Sequence, residues 1–322
     1  MSMPAAAAPS AEAYRRFACF GTTIAVGAGG GDRLAVACAL AGARAIAEDV
    51  HRRLTRFEAD SELCRLNADP RAAVPASELM RSFAALVRWA GEASGGLVDA
   101  TCLDAVEAAG YREHFDPARR GAERASLAVA APGRTESGLA DAGDLAWAGS
   151  PRSPLPGDWR SVGVRNGTVV RPPGVRLDSG GLGKGLAADR MAGALRGCPS
   201  WVVDCAGDLR LGGTAGRARA VEVRDPFDDE RVLHRFHLAA GAVATSGVTR
   251  RRWAGGHHLI DPRTGAPADT GVVQATALAA RGAVAEVRAK AALLAGPRQA
   301  AVHLPDGGLF VTADGRSHLV AR

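Results

Sequence analysis

The chain of 322 residues carries a formal net charge of +6, and 47% of its residues are hydrophobic but only 5% are aromatic. This length can bury a substantial core, and no apolar run approaches the ~20 residues that cross a bilayer, so we expect no membrane span. The arginines are spread along the chain among acidic residues, which is typical of a solvated basic surface and makes nucleic-acid binding the weakest interpretation.

In chain order the patterns predict strand 22–27, helix 33–57, helix 78–93, a loop-rich excursion with one short helix over 112–159, hairpin 162–171, helix 184–196, strands 201–204, 220–224, 232–238 and 272–278, helix 283–294, and strands around Val302, Phe310 and Leu319. Ser77 is a plausible N-cap, and Asn166-Gly167 is a strong hairpin signal. Because strands cluster while helices come singly, we expect an α+β fold with mostly antiparallel sheets and flanking helices.

The N-terminal segment, residues 1–15, is rich in alanine and predicts a flexible tail before one domain over residues 16–322. It lacks a basic region followed by a long apolar stretch, so no signal peptide is predicted and a cytoplasmic location is expected. Six widely spaced cysteines without a CxxC pair favour free thiols over a disulfide framework or a zinc site.

The segment LDSGGLGKGLAAD, from Leu177 to Asp189, runs from a strand end through glycines into a helix whose first turn carries Lys184. Glycines allow close backbone approach, and a helix N-terminus offers unpaired N–H groups to an anion, so a phosphate-bearing ligand is one interpretation. A Gly-rich turn that only caps a helix is the other. The segment is not a Walker A loop, because Gly185 stands where Ser or Thr would bind magnesium.

Other polar segments each allow a structural and a functional interpretation. Phe57, in RFEADSELCRLNAD, could stack on a planar ring or pack in the core. Asp99 and Thr101, in SGGLVDAT, could belong to a site or cap the next helix. Glu286 and Lys290 stand four residues apart, a spacing that gives an ordinary helix ion pair.

Lysine is rare in this chain: only Lys184 and Lys290 occur, among 40 basic residues. Arg is used wherever a general positive charge is enough, so these two positions are candidates for places that require a compact ammonium group. Two further segments concentrate polar groups, ATSGVTRRR from Ala244 and HHLIDPRTG from His257.

Taken together, seven segments resemble the ApbE family of flavin transferases, the FAD:protein FMN transferases, in the family's order from about Phe20 to Gly296. They are FGTTIAV, SELCRLN, GGLVDAT, LDSGGLGKGLAAD, DCAGDLRLGG, ATSG and HHLIDPRTG. The resemblance implies an ApbE-like fold with FAD bound in a cleft. It also implies an enzyme that transfers the FMN half of FAD to a Thr or Ser hydroxyl of an acceptor protein and releases AMP.

The resemblance assigns roles to individual residues. It implies that His258 is the base or positions the reacting group, and that Asp261 and Arg263 organise the loop that carries His258. Asp261 counts among the catalytic residues, and Arg263 among the FAD-binding residues. The FAD-binding residues that it implies are Phe20, Phe57, Leu97, Val98, Asp99, Lys184, Thr245 and Ser246.

The chain departs from the family pattern at the metal. The family supplies an Asp and, four residues later, a Thr as Mg²⁺ ligands, beside a backbone carbonyl; here Glu286, Lys290 and Gly183 hold these positions. An ammonium cannot bind a metal ion. Three interpretations remain. Lys290 takes the place of the cation, or Mg²⁺ binds through Glu286 and Gly183 at a shifted place. In the third, the transfer activity is lost, and the protein only binds FAD or hydrolyses its pyrophosphate. Phe20 for Met and Ala206 for Gly are milder changes.

Overall fold

The structure, a computed structural model, describes residues 12–113, 140–141, 157–253 and 256–321. Its centre is a nine-stranded sheet in the order β1-β2-β7-β8-β11-β16-β17-β18-β4. All neighbouring strands in this sheet run antiparallel except β18 and β4. The strands are β1 Ala13–Cys19, β2 Thr22–Gly29, β3 Ala73–Pro75, β4 Ala140–Asp141, β5 Gly163–Arg165, β6 Thr168–Val170, β7 Ser200–Cys205, β8 Leu209–Gly212, β9 Arg219–Asp225, β10 Asp228–Leu238, β11 Gly241–Gly247, β12 Arg252–Trp253, β13 Gly256–His257, β14 Ile260–Asp261, β15 Ala266–Pro267, β16 Val272–Ala279, β17 Gly308–Thr312 and β18 Ser317–Val320.

Six α-helices lie in the described residues: α1 Arg33–Leu54, α2 Glu62–Ala68, α3 Glu78–Ala93, α4 Leu103–Ala108, α5 Gly183–Leu195 and α6 Gly282–Ala295. Short polar side chains begin three of them, because each accepts a hydrogen bond from a backbone N–H of the first turn. Asp32 caps α1 (3.0 Å to Ala35 N), Ser61 caps α2, and Ser77 caps α3.

The core lies on both faces of the large sheet. Along β16, Ala277 packs with α6 on one face, while the next residue, Leu278, faces the β9–β10 hairpin on the other. Helices α1 and α5 cover the part of the sheet formed by β2 and β7. The sheet therefore places the N-termini of α5 and α6, two neighbouring helices, on the same side of the molecule.

The structure confirms the α+β class and the mostly antiparallel sheets. The Ser77 cap and the hairpin at Asn166-Gly167 are also confirmed. Two details are wrong. Helix α1 ends at Leu54, not Phe57, since Thr55 is extended, and the segment around Val302 is a 3₁₀ helix, Ala300–His303, instead of a strand.

Several features lie outside those predictions. Helix α2 and strands β8 and β11 were not predicted, and β1 begins at Ala13, before the expected boundary at residue 16. Most of the predicted excursion over 112–159 falls outside the described residues. All six cysteines are free thiols. Within the described ranges, no helix combines the length and apolarity needed to cross a bilayer.

Candidate functional site

The close crossing of α5 and α6 positions the site. Gly185 N donates to Oε2 of Glu286, 2.9 Å away, which joins the first turn of α5 to α6. In return, Asp189 of α5 caps α6: its two carboxylate oxygens accept from Gly282 N at 2.7 Å and Ala283 N at 3.1 Å. This exchange fixes the starts of both helices relative to each other, and with them Lys184 and Lys290.

Two cavities meet beside these helix starts. The first cavity has a volume of about 140 Å³ and the second about 490 Å³. Both are lined by Lys184, Arg251, His258 and Lys290. Three cationic side chains and an imidazole therefore stand where the cavities join.

The first cavity is lined largely by apolar and aromatic groups. Of the residues predicted to bind FAD, it brings together Phe20, Phe57, Leu97, Val98, Asp99 and Lys184, and it also includes Gly183. Asp99 accepts from Thr101 N at 2.8 Å and from Thr101 Oγ1 at 2.6 Å, so this pair forms a local turn and does not cap α4. Burial raises the pKa of Asp99.

Arg56 organises the aromatic wall of the first cavity. Its Cζ lies 4.3 Å from the ring centre of Phe57 and 4.6 Å from that of Tyr111, so the guanidinium contacts both rings, which also meet edge to face with centres 5.8 Å apart. It also donates to the Tyr111 carbonyl at 2.6 Å and pairs with Asp178 at 3.4 Å. Trp253 stacks on Tyr111, with ring centres 5.7 Å apart. The wall is thus a rigid platform of the kind that stacks on planar rings.

Lys184 is held by a short ion pair. Its Nζ lies 2.5 Å from Oδ2 of the buried Asp208, whose Oδ1 accepts from Thr245 N at 3.3 Å. Burial lowers the pKa of Lys184, but the carboxylates of Asp208 and Glu286 outweigh it and raise the pKa above its usual value. The ammonium group therefore stays charged.

Lys290 is paired more loosely. Its Nζ lies 3.8 Å from Oε1 of Glu286, one turn earlier on α6. That buried oxygen accepts no hydrogen bond from the described residues. Burial raises the pKa of Glu286 above its usual value, against the lowering effect of Lys290.

The two adjacent histidines have different environments. His257 is buried, with Nε2 2.9 Å from the Ala268 carbonyl, and lines neither cavity. His258 lines both cavities, with Nδ1 3.4 Å from the Arg251 carbonyl. Burial lowers the pKa of His258 well below its usual value, and Arg251 and Lys290 lower it further. A neutral imidazole at this place can accept a proton.

Asp261 and Arg263 lie outside the linings of both cavities. The Arg263 side chain donates to both carboxylate oxygens of Asp261, at 2.6 to 2.9 Å, and to the Leu294 carbonyl at 2.7 Å. This pair ties the loop after His258 to the end of α6. Thr245 and Ser246 line only the second cavity, where Thr245 Oγ1 lies 2.9 Å from Thr276 Oγ1.

Sequence reasoning missed several lining residues. Arg56 and Tyr111 form the aromatic wall, Arg251 lines both cavities, and Asp208 pairs with Lys184. Arg56 precedes Phe57 directly and Asp208 lies within DCAGDLRLGG, so both could have been flagged by position. Tyr111, one of only two tyrosines, gives no pattern in the sequence.

The residues around Glu286 do not fit a magnesium site. Mg²⁺ requires about six oxygen ligands in near-ideal geometry, and here the buried Oε1 of Glu286, which accepts no hydrogen bond from the described residues, faces an ammonium group. A dication at that place would be repelled by Lys290, and the part of the chain that the structure describes contains no cluster of three or more His, Cys, Asp or Glu able to hold a metal.

The fold and the site define an α+β protein with an aromatic-walled cavity beside a group of cations. The chain belongs to the ApbE family, whose sequence model matches residues 20–307. A curated relative, the FAD:protein FMN transferase of Treponema pallidum (strain Nichols), is 29% identical over 188 residues. That match covers 49% of this chain and 52% of the relative, so it spans about half of the relative's length.

Solved structures share the fold over nearly the whole chain. Pseudomonas stutzeri flavinyl transferase ApbE in its apo form is 18% identical with a TM-score of 0.72, covering 98% of this chain and 96% of that one. The ApbE protein of Thermotoga maritima is 22% identical with a TM-score of 0.75, covering 96% and 97%. The Vibrio cholerae flavin transferase ApbE is 19% identical with a TM-score of 0.70, covering 97% of each. These matches confirm the ApbE-like fold.

Proposed function

We propose that this protein transfers the FMN half of FAD to a Thr or Ser hydroxyl of an acceptor protein, as a phosphoester, and releases AMP. The observation that carries the proposal is the junction of the two cavities, where Lys184, His258 and Lys290 meet beside an aromatic wall. Membership of the ApbE family and the name of the Treponema pallidum relative support it.

The lining chemistry suits a ligand with planar rings and a pyrophosphate. A ring of FAD packs against the wall of Phe57 and Tyr111, while the pyrophosphate lies at the junction among the cations. The N-terminus of α5 adds a favourable partial positive charge there. The second cavity gives the acceptor hydroxyl a route to the same phosphates.

His258 is the general base of the proposed reaction. The acceptor hydroxyl attacks the phosphorus of the FMN half, and its proton passes to the neutral imidazole. The bond between that phosphorus and the bridging oxygen breaks, and AMP leaves with the bond's electron pair. The fixed cations stabilise the charge that develops on the phosphate oxygens. Asp261 and Arg263 hold the loop that presents His258.

The test is incubation of the full chain with FAD and a library of Thr- and Ser-containing peptides. Peptides are analysed by intact mass and AMP by chromatography. Transfer predicts a peptide heavier by one FMN minus water, together with an equal amount of AMP. AMP with no modified peptide would indicate hydrolysis, and bound FAD with neither product would contradict the proposed transfer. His258→Gln is the matched inactive control.

A further inference from the structure

Lys290 has a position that an ordinary helix ion pair does not explain. Its side chain is 12% exposed and lines both cavities, yet its Nζ lies 3.8 Å from Glu286 Oε1, beyond hydrogen-bond distance. Keeping an ammonium group this far out of water is costly unless a strong anionic partner is close. The pairing in the protein is therefore incomplete, and an added anion would complete it.

The glycine-rich loop holds the Lys290 side chain in place. A Cβ at Gly181 would lie 3.0 Å from Lys290 Cε and 3.6 Å from its Cδ, so the lysine chain lies directly against bare backbone. A flexible surface lysine has no such contact. The loop therefore places Nζ at the junction of the cavities.

The two lysines of the chain differ in how far their charge is already neutralised. Lys184 has Asp208 at 2.5 Å, while Lys290 has only Glu286 at 3.8 Å. Because Coulomb attraction falls with distance, Lys290 keeps more of its charge for a ligand. The residues around Glu286 do not suit a divalent metal ion beside Lys290. The positive charge beside Glu286 is therefore the ammonium group of Lys290 itself.

We propose that the ammonium group of Lys290 stabilises the pyrophosphate during transfer and that the protein needs no divalent metal ion for this reaction. The inference rests on the proposed function. In the step, the hydroxyl oxygen bonds to the FMN phosphorus, its proton goes to His258, and the phosphorus–oxygen bond to AMP breaks. Lys290 donates hydrogen bonds to the departing phosphate and keeps its protons. Glu286 is a positioning residue that holds Lys290 at the junction.

The experiment measures FAD binding, by quenching of flavin fluorescence, and AMP release with an accepted peptide, each in EDTA and in Mg²⁺. We expect the wild-type rates in EDTA and in Mg²⁺ to agree within about twofold. Lys290→Met should lower AMP release by about 10²-fold, the loss typical of one fixed charge-stabilising group, while Lys290→Arg should keep a larger part of the rate.

Removing Lys290 alone leaves Glu286 buried without its partner, which threatens folding. The double variant Glu286→Gln/Lys290→Met removes both charges and should fold, as checked by thermal unfolding, yet show the same loss of rate. A wild-type rate that disappears in EDTA and returns with Mg²⁺ would overturn this inference and leave the proposed function intact. Failure to bind FAD in both conditions would overturn both.

Discussion

Gly185 of α5 and Ala283 of α6 approach so closely that a Cβ on the glycine would lie 2.7 Å from the Ala283 Cα. The same Cβ would lie 2.7 Å from the Gly282 carbonyl oxygen, so backbone atoms surround it on that side. The glycine after Lys184 therefore has a structural purpose: it lets two helix starts touch. The segment LDSGGLGKGLAAD can therefore serve helix packing and phosphate binding together. The same close crossing of α5 and α6 that needs Gly185 also positions Lys184 at the junction of the cavities.

We expect Gly185→Ala to lower the free energy of unfolding by about 1–3 kcal/mol, the usual cost of overpacking, because the contacting backbone atoms cannot move without separating the helices. Urea denaturation measures this. Gly193→Ala, on the same helix with no atom within 4 Å of its Cβ, should instead stabilise by roughly 0.5–1 kcal/mol through helix propensity. Equal effects at both positions would contradict the close crossing.

Ala206, which stands where the family has glycine, has a φ of 57°. This left-handed conformation costs an alanine about 1–2 kcal/mol, whereas glycine adopts it freely. We therefore expect Ala206→Gly to raise the free energy of unfolding by about 1 kcal/mol in urea denaturation. The neighbour Gly207 has a φ of 95°, and Gly207→Ala should change stability in the opposite direction. A loss of stability in Ala206→Gly would rule out a left-handed turn.

Tyr111 should contribute to FAD affinity through the aromatic wall. Replacing it with leucine removes a ring that contacts Arg56 and Trp253, and we expect the Kd for FAD to rise about tenfold, since an aromatic contact contributes about 0.5–1.5 kcal/mol. Fluorescence titration measures the Kd. Trp89→Leu, at an exposed tryptophan on α3, should leave the Kd unchanged. An unchanged Kd in Tyr111→Leu would place the FAD rings elsewhere.

The elements that follow from neighbouring residues were predictable from the sequence. Ser77 accepts from Met80 N, three residues on, and Asn166-Gly167 turns between strands that pair directly. The order of the large sheet was not predictable, because β2 pairs with β7 and β11 with β16 across long stretches of chain. Nothing in any one strand specifies such a partner.

The residues of the candidate site also fall into those that the sequence predicts and those that only the fold reveals. Lys184, His258 and Lys290 stand out by residue type and by the order of their segments, and the structure places them at one junction. The sequence predicts only half of the aromatic wall: it points to Phe57, but Tyr111 comes from the turn after α4 and meets Phe57 only in the fold. The ion pair of Lys184 with Asp208 likewise depends on tertiary packing.

His258 should give the reaction an unusual pH dependence. Because burial, Arg251 and Lys290 all lower its pKa, the imidazole stays neutral at pH values where a typical histidine, with a pKa of 6.5, is already protonated. A base with a lowered pKa loses activity only when the pH falls below that lowered value. We therefore expect kcat/KM for transfer to stay level from neutral pH to below 6.5 and to fall only in more acidic solution.

The same argument separates His258 from its neighbour and links it to Lys290. His258→Gln should lower kcat by about 10²–10⁴-fold with little change in FAD affinity, whereas His257→Gln should lower stability and leave the turnover of the folded protein largely unchanged.

Lys290→Met removes a positive charge that lowers the pKa of His258, so its residual activity should begin to fall at a higher pH than in the wild type. A pH profile that does not move in Lys290→Met would mean that the titrating base is not beside Lys290, and His258 would lose its role as the base.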